Sequence, residues 1–220
     1  MRKILVLTLL WVVAALAIGS ARAADMDVPV NLRLLNAARD NEWDNVLKAL
    51  EDGGAINARN RVGDTVLNMA ARRGRPDLVD AFIANGANVN LENLDLVTPL
   101  HGAAYSGHTE VVRALLKAGA KADRIDRQGK PPMVYACAGG HAKTVALLLD
   151  SGIDVNARYE NGFTALMWAA GYGNAETIEL LLARGADPKL KDARDLTARQ
   201  IAGMGSQPQL GAVLEQAESK

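Results

Sequence analysis

Apolar residues in this chain fall at helical spacing in short groups, and the groups return every 33 residues. Between Thr98 and Ala120, Leu100, Ala103 and Ala104 share one face of a short helix. Val111, Val112, Leu115 and Leu116 form a stripe at i, i+1, i+4 and i+5 of a second helix. Thr98 suits the N-cap of the first helix, and Pro99 suits its first position because its missing N–H would be unpaired there. Gly107 and Gly119 end the two helices, since glycine takes the left-handed conformation at little cost. The stretch therefore predicts two short helices and two turns.

Such a unit cannot bury its stripe alone and needs copies on either side. The copies are present. The Leu100 position recurs as Leu34, Leu67, Met133 and Leu166, and the Ala103 position as Ala37, Ala70, Ala136, Ala169 and Ala202. Gly107 recurs as Gly74, Gly140 and Gly173, with Asn41 in the first unit, and Gly119 as Gly53, Gly86, Gly152 and Gly185. The register runs without insertion from about Leu32 to about Ala202. It predicts an all-α solenoid of about six stacked helix-turn-helix units joined by short β-turn or hairpin connections, over residues 31–217. Repeats two to five start near Asn60, Asn93, Asp126 and Tyr159. The first and last units act as caps, 24–30 is a lead-in and 218–220 a polar tail.

The chain resembles the ankyrin-repeat family, whose consensus contains T-P-L-H-x-A and later G-A-D. Thr98-Pro99-Leu100-His101-Gly102-Ala103 matches the first motif in full, and Gly185-Ala186-Asp187 the second. The resemblance implies binding of other proteins and no catalytic residues. It also implies that Thr98 and His101 hydrogen-bond to each other and to nearby backbone.

Three departures from the repeat carry expectations. Leu96 stands where other repeats have Gly63, Gly129 and Gly162, so the Asn93–Val97 turn is expected to differ from its neighbours. Repeat four reads Pro131-Pro132-Met133-Val134 and has lost Thr and His together, which avoids stranding one buried polar group. In the last unit Arg199 replaces an apolar residue, as suits a cap, while Leu210, Val213 and Leu214 are expected in the core.

Arg2 and Lys3, the apolar run Ile4–Ile18 and Ala21-Arg22-Ala23 compose a signal peptide over 1–23, with cleavage expected after Ala23. The run is short for a membrane span of about 20 residues. The expected product is periplasmic or secreted and is not stably inserted in a membrane. Cleavage removes three of 25 basic residues, leaving 22 against 25 acidic ones, a net charge of −3. With no basic excess to neutralise phosphates, nucleic acid is not the expected partner. One cysteine, Cys137, cannot form a disulfide within the chain and is expected as a buried, inert thiol.

No constellation for catalysis appears. His101 belongs to the T-P-L-H motif, and His108 and His141 repeat one turn position. Stacked repeats hold equivalent positions about 10 Å apart, too far for one metal ion. No serine lies in G-x-S-x-G, and the glycines recur because helix ends recur. Neither metal nor cofactor is expected, and the chain is not read as an enzyme.

What remains free is the surface of turn tips and first helices, which forms the concave face in this family. Tyr105, Tyr135, Phe163, Trp168 and Tyr172 fall there in adjacent repeats of a chain with 4% aromatics. Arg59, Arg61, Arg72 and Arg73 cluster in the second repeat. Aromatic residues and arginine dominate interface hot spots. These nine residues are the expected contact set for a protein partner that the sequence does not name. Tyr135 and Trp168, one repeat apart, are expected side by side. A monomeric binding module is the leading reading, and an inhibitor or immunity protein against a periplasmic toxin or enzyme the alternative.

Overall fold

The computed structural model describes residues 28–205 and 208–219. The signal peptide and its cleavage site lie outside them. Among the described residues there are twelve α-helices and no strand. They form six pairs: α1 (Val30–Arg39) with α2 (Trp43–Glu51), α3 (Val66–Arg72) with α4 (Pro76–Ala84), and α5 (Pro99–Tyr105) with α6 (Thr109–Lys117). Then come α7 (Pro132–Ala138) with α8 (Ala142–Asp150), α9 (Ala165–Gly171) with α10 (Ala175–Ala183), and α11 (Ala198–Met204) with α12 (Pro208–Glu218).

The first helix of each pair stacks on the first helices before and after it, from α1 through α11, and α4, α6, α8 and α10 stack behind them. The alanine row is the reason the inner layer closes so tightly. Ala70, Ala103, Ala136 and Ala169 are fully buried, and any larger side chain would part the helices. Leu34, Leu67, Leu100, Met133 and Leu166 fill the space between helix layers at 0–1% exposure. The outer helices contribute Val46, Val79, Val112, Val145 and Ile178, then Phe82, Leu115, Leu148 and Leu181, all at 0%. In the last unit Leu210 and Leu214 are buried, but Val213 is exposed, so the expectation for that residue was wrong. Val213 stands on a side of α12 that no described residue covers.

The turn after each first helix has two demands on one residue. Gly107 has φ 70°, and a Cβ there would sit 2.4 Å from Nδ1 of His141 in the next repeat. Asn41 meets the first demand in repeat one, with φ 67°. His141 in turn brings Nε2 to within 3.1 Å of the Tyr105 carbonyl, and Asn174 does the same for the Cys137 and Ala138 carbonyls at 2.7 and 2.9 Å. These side chains serve carbonyls at the end of the neighbouring helix, where intrahelical donors run out.

The connections between repeats are tight hairpins. In repeats two, three, four and six an Asn or Asp opens the turn, and its Oδ1 accepts the N–H groups two and four residues on. Asn60, Asn93, Asp126 and Asp192 do so at 2.8–3.0 Å. The expectation that Leu96 would force a different turn is overturned. Leu96 adopts φ 60°, and Asn93 and Val97 pair as their counterparts do. The Asn93 side chain and both flanking hairpin bonds hold the turn against the strain of a positive φ at leucine. The turn that departs is in repeat five. Tyr159 occupies the Asx position and cannot accept these bonds. Glu160–Gly162 forms a 3-10 turn instead, with both Asn161 and Gly162 at positive φ.

Candidate functional site

The inner helices and hairpin tips present one continuous face, and its polar framework is built from the helix caps. Thr98 caps α5 by accepting from the His101 N–H. The Thr98 N–H and hydroxyl both lie within reach of His101 Nδ1, at 3.2 and 2.8 Å. An N–H can only donate, so Nδ1 is the acceptor and the proton sits on Nε2. Nε2 then donates to the Lys130 carbonyl in the next hairpin, at 3.2 Å. Burial pushes the His101 pKa down, outweighing the opposite pull of the Lys130 carbonyl, Asp126 and Glu92. Asn68 does the same work in repeat two, capping with Thr65 and donating to the Val97 carbonyl at 3.3 Å. In repeat four Pro131 and Val134 make no such bond. The family resemblance implied the Thr–His pair, and the geometry bears it out.

Above His101 opens a cleft of about 320 Å³. Its cause lies in the row Met69, Gly102, Tyr135, Trp168, which occupies one position in four successive repeats. Glycine leaves a gap one side chain wide. Arg72 leans into part of it: a Cβ on Gly102 would meet the Arg72 Cβ at 3.3 Å. The guanidinium is held by buried Asp64, with Nη2 3.1 Å from Oδ2. Asp64 is itself fixed by Asn93 Nδ2 at 2.9 Å. The opposite wall is Tyr135 and Tyr105, whose rings meet edge to face at 5.8 Å. The Tyr135 hydroxyl donates to Asp126, and burial together with that bond raises its pKa.

The second aromatic group lies one repeat further on. Phe163 and Trp168 are 5.2 Å apart, and Tyr172 stacks on Trp168 at 6.2 Å. Lys130 Nζ sits 5.4 Å from the centroid of the Trp168 ring, and Arg194 covers Phe163 at 5.5 Å. Among the described residues no ring contact joins Tyr135 to Trp168. Tyr135 and Trp168, expected side by side, therefore fall in two groups, Tyr105 with Tyr135 and Phe163 with Trp168 and Tyr172.

The four arginines also part company. Arg72 lines the cleft. Arg59 donates to the Gly63 carbonyl at 3.1 Å and to the Glu92 carbonyl of the next repeat, so it ties hairpins together. Arg73 turns toward repeat one, donating to the Arg39 carbonyl at 2.6 Å and lying over Trp43. Arg61 stays exposed at the hairpin tip. Asp64, His101 and Gln128 also line the cleft, and the expected contact set did not include them. The signal available was Gly102 itself, a missing side chain in a row of large ones.

Cys137 is fully buried, and burial raises its pKa, which keeps it a thiol. Among the described residues no group of His, Cys, Asp or Glu could hold a metal ion, and no helix is long and apolar enough to cross a membrane. No curated protein matches the chain. A family model for ankyrin repeats in three copies matches residues 34–126 and 120–192, most of the repeat array. The 33-residue register, the Thr98–His101 cap and this match together place the chain in the ankyrin-repeat family, whose repeats mediate protein–protein interaction.

Proposed function

We propose that this chain is a non-catalytic, periplasmic module that holds a folded protein partner on its concave face. The observation that carries the reading is where the aromatic surface lies. Among the described residues the two exposed aromatic side chains, Tyr105 at 65% and Tyr172 at 62%, both stand on the inner face. They flank a cleft and a second aromatic group on the same face. Aromatic anchors beside pockets are the usual carriers of binding energy between proteins. The signal-peptide pattern of residues 1–23 supports the compartment.

A photo-crosslinking residue placed at Gln128, on a hairpin tip, tests the face in intact cells. A second placed at Glu179, on the outer helix α10, is the control. The expected result is a discrete covalent adduct from the first position and none from the second. Adducts from Glu179 alone would move the binding site to the outer layer. The mature protein is expected to begin at Ala24, and an intact Met1 on soluble protein would remove the periplasmic part of the reading.

A further inference from the structure

We infer that the cleft over Gly102 is a socket for one aromatic side chain of the partner. The inference rests on the proposed binding function and specifies what the partner brings. The row Met69, Gly102, Tyr135, Trp168 carries a large apolar side chain at every place but one. The cleft there is about 320 Å³, which is room for a phenol or indole ring. Its walls suit a flat ring. Asp64 holds the Arg72 guanidinium over one side, where it can lie against a π face. Tyr105 and Tyr135, already edge to face at 5.8 Å, form the other side.

The charges nearby disfavour an ionic guest. Arg72 is neutralised by Asp64, and Asp126 is occupied by the Tyr135 hydroxyl and two backbone N–H groups. A partner carboxylate would face Asp64, and a partner cation would face Arg72. The polar groups of the floor, Thr98 and His101, already bond to each other and to the next hairpin. What the cleft lacks is apolar contact.

The test titrates the mature, isotope-labelled protein with N-acetyl-tryptophanamide, N-acetyl-argininamide and N-acetyl-aspartate amide, read by NMR. Tryptophanamide is expected to shift the Gly102 amide and the Arg72 Nε resonance, saturating with a Kd of about 1–10 mM. Gly102→Met, which inserts the residue of repeat two, is expected to weaken this at least about tenfold, the work of one lost anchor contact. If Gly102→Met lowers the melting temperature sharply, Tyr105→Ala replaces it. That residue is 65% exposed, and a weakening of at least about threefold is expected. Shifts at Gly102 from the charged amides and not from tryptophanamide overturn the inference, as do no shifts from any of the three. The Gln128 crosslink separates the two readings. If it persists in Gly102→Met and tryptophanamide never binds, the socket falls and the binding face stands. If the crosslink is absent from the parent as well, the function reading falls with it.

Discussion

The hairpin edge of repeats two to four and the hairpin edge between repeats four and five share one helix packing, yet they are fastened differently. From repeat two to three, Arg59 and Asn68 donate to the Glu92 and Val97 carbonyls, and the Leu94 N–H donates to the Val62 carbonyl at 2.9 Å. From repeat three to four, His101 and Arg127 reach the Lys130 and Leu94 carbonyls, and the Arg127 N–H donates to the Asp95 carbonyl. From repeat four to five, no hydrogen bond crosses this edge among the described residues. Lys130 over Trp168 is the polar contact there. The helices behind remain packed on each other without interruption.

The opposite edge shows the complement. Asn57, Asn90 and Asn156 each donate to a glycine carbonyl of the next repeat, at 3.1–3.2 Å. The equivalent residue between repeats three and four is Asp123, which has no N–H to give. At the hairpin edge repeat four is thus tied to three and not to five; its ties to five lie elsewhere, through Asn156, through Arg184 on Asp150, and through Asn174 on the Cys137 and Ala138 carbonyls. In a solenoid, stability is a sum over neighbouring units, so such differences set where the array opens first. The apolar layers decide that the repeats stack, and the polar ties decide how firmly each junction is closed.

The largest expected effect comes from attacking the layer and leaving the ties intact. Leu148 on α8, in repeat four, is fully buried. Leu148→Ala is expected to cost about 2–5 kcal/mol, from lost apolar contact and the cavity left behind. The loss should fall mostly on repeats four to six, so denaturant unfolding is expected to split into two steps. Hydrogen exchange would then show faster opening from Val145 onward while Val79 and Val112 keep their protection. A uniform loss across all repeats would mean that the junction of repeats four and five is no weaker than the others.

The array was legible in the sequence because stacking imposes the same volume and backbone demands on each unit. Leu100, Ala103, Gly107 and their copies could each be read directly, and so could the paired loss of Thr and His at Pro131 and Val134. The Asn57, Asn90 and Asn156 ties recur in the same register and were available, but a polar residue near a turn has many possible partners. Leu96 misled because a residue's own preference was weighed without the Asn93 bonds that override it. The aromatic groups were harder still. Equivalent positions predict a common face, but contact depends on side-chain direction, and Tyr135 turns toward Tyr105 and Asp126, not toward Trp168. The arginines scattered for the same reason: a long side chain reaches whichever carbonyl or carboxylate is close.

A smaller effect is expected from cutting one tie on the firm edge. His101→Gln can still accept the Thr98 N–H, as Gln200 does for Thr197 at 2.9 Å, but gives up the rigid reach of the imidazole to the Lys130 carbonyl, leaving that tie poorly made. The expected cost is about 1–3 kcal/mol at neutral pH. It carries a pH signature. Burial holds the folded His101 pKa below its ordinary value, so the unfolded chain binds the proton more readily. The contribution of His101 is therefore complete above about pH 6.5, the unfolded value, and falls as the pH drops toward the folded value. Chemical denaturation between pH 7 and pH 5 should show a steeper decline in the parent than in His101→Gln. Parallel curves would mean that the imidazole is not held neutral.

The smallest expected effect is also the most direct test of the comparison, because it adds a tie where none exists. Pro131→Thr with Val134→His rewrites repeat four as Thr-Pro-Met-His, the pattern of Thr98 to His101. Pro131 already sits at an N-cap with φ −82° and ψ 168°, close to the −86° and 167° of Thr98. The backbone therefore needs no adjustment to accept a threonine cap. The new histidine would stand over the Phe163 carbonyl, which is one repeat beyond the Lys130 carbonyl that His101 reaches. That carbonyl already accepts from the Tyr159 N–H, at 2.8 Å, and a carbonyl oxygen has a second lone pair to offer. The gain should be about 0.5–1.5 kcal/mol for the added bond, and the exchange protection of repeats five and six should rise toward that of repeats two and three. Val134 is buried at 1% exposure, so the imidazole must also fit where a branched apolar residue packs. A loss of stability with unchanged protection beyond Phe163 would mean that packing, and not the missing bond, defines this junction. A gain confined to repeats five and six would show that the weak edge results from the two residues that repeat four lost together.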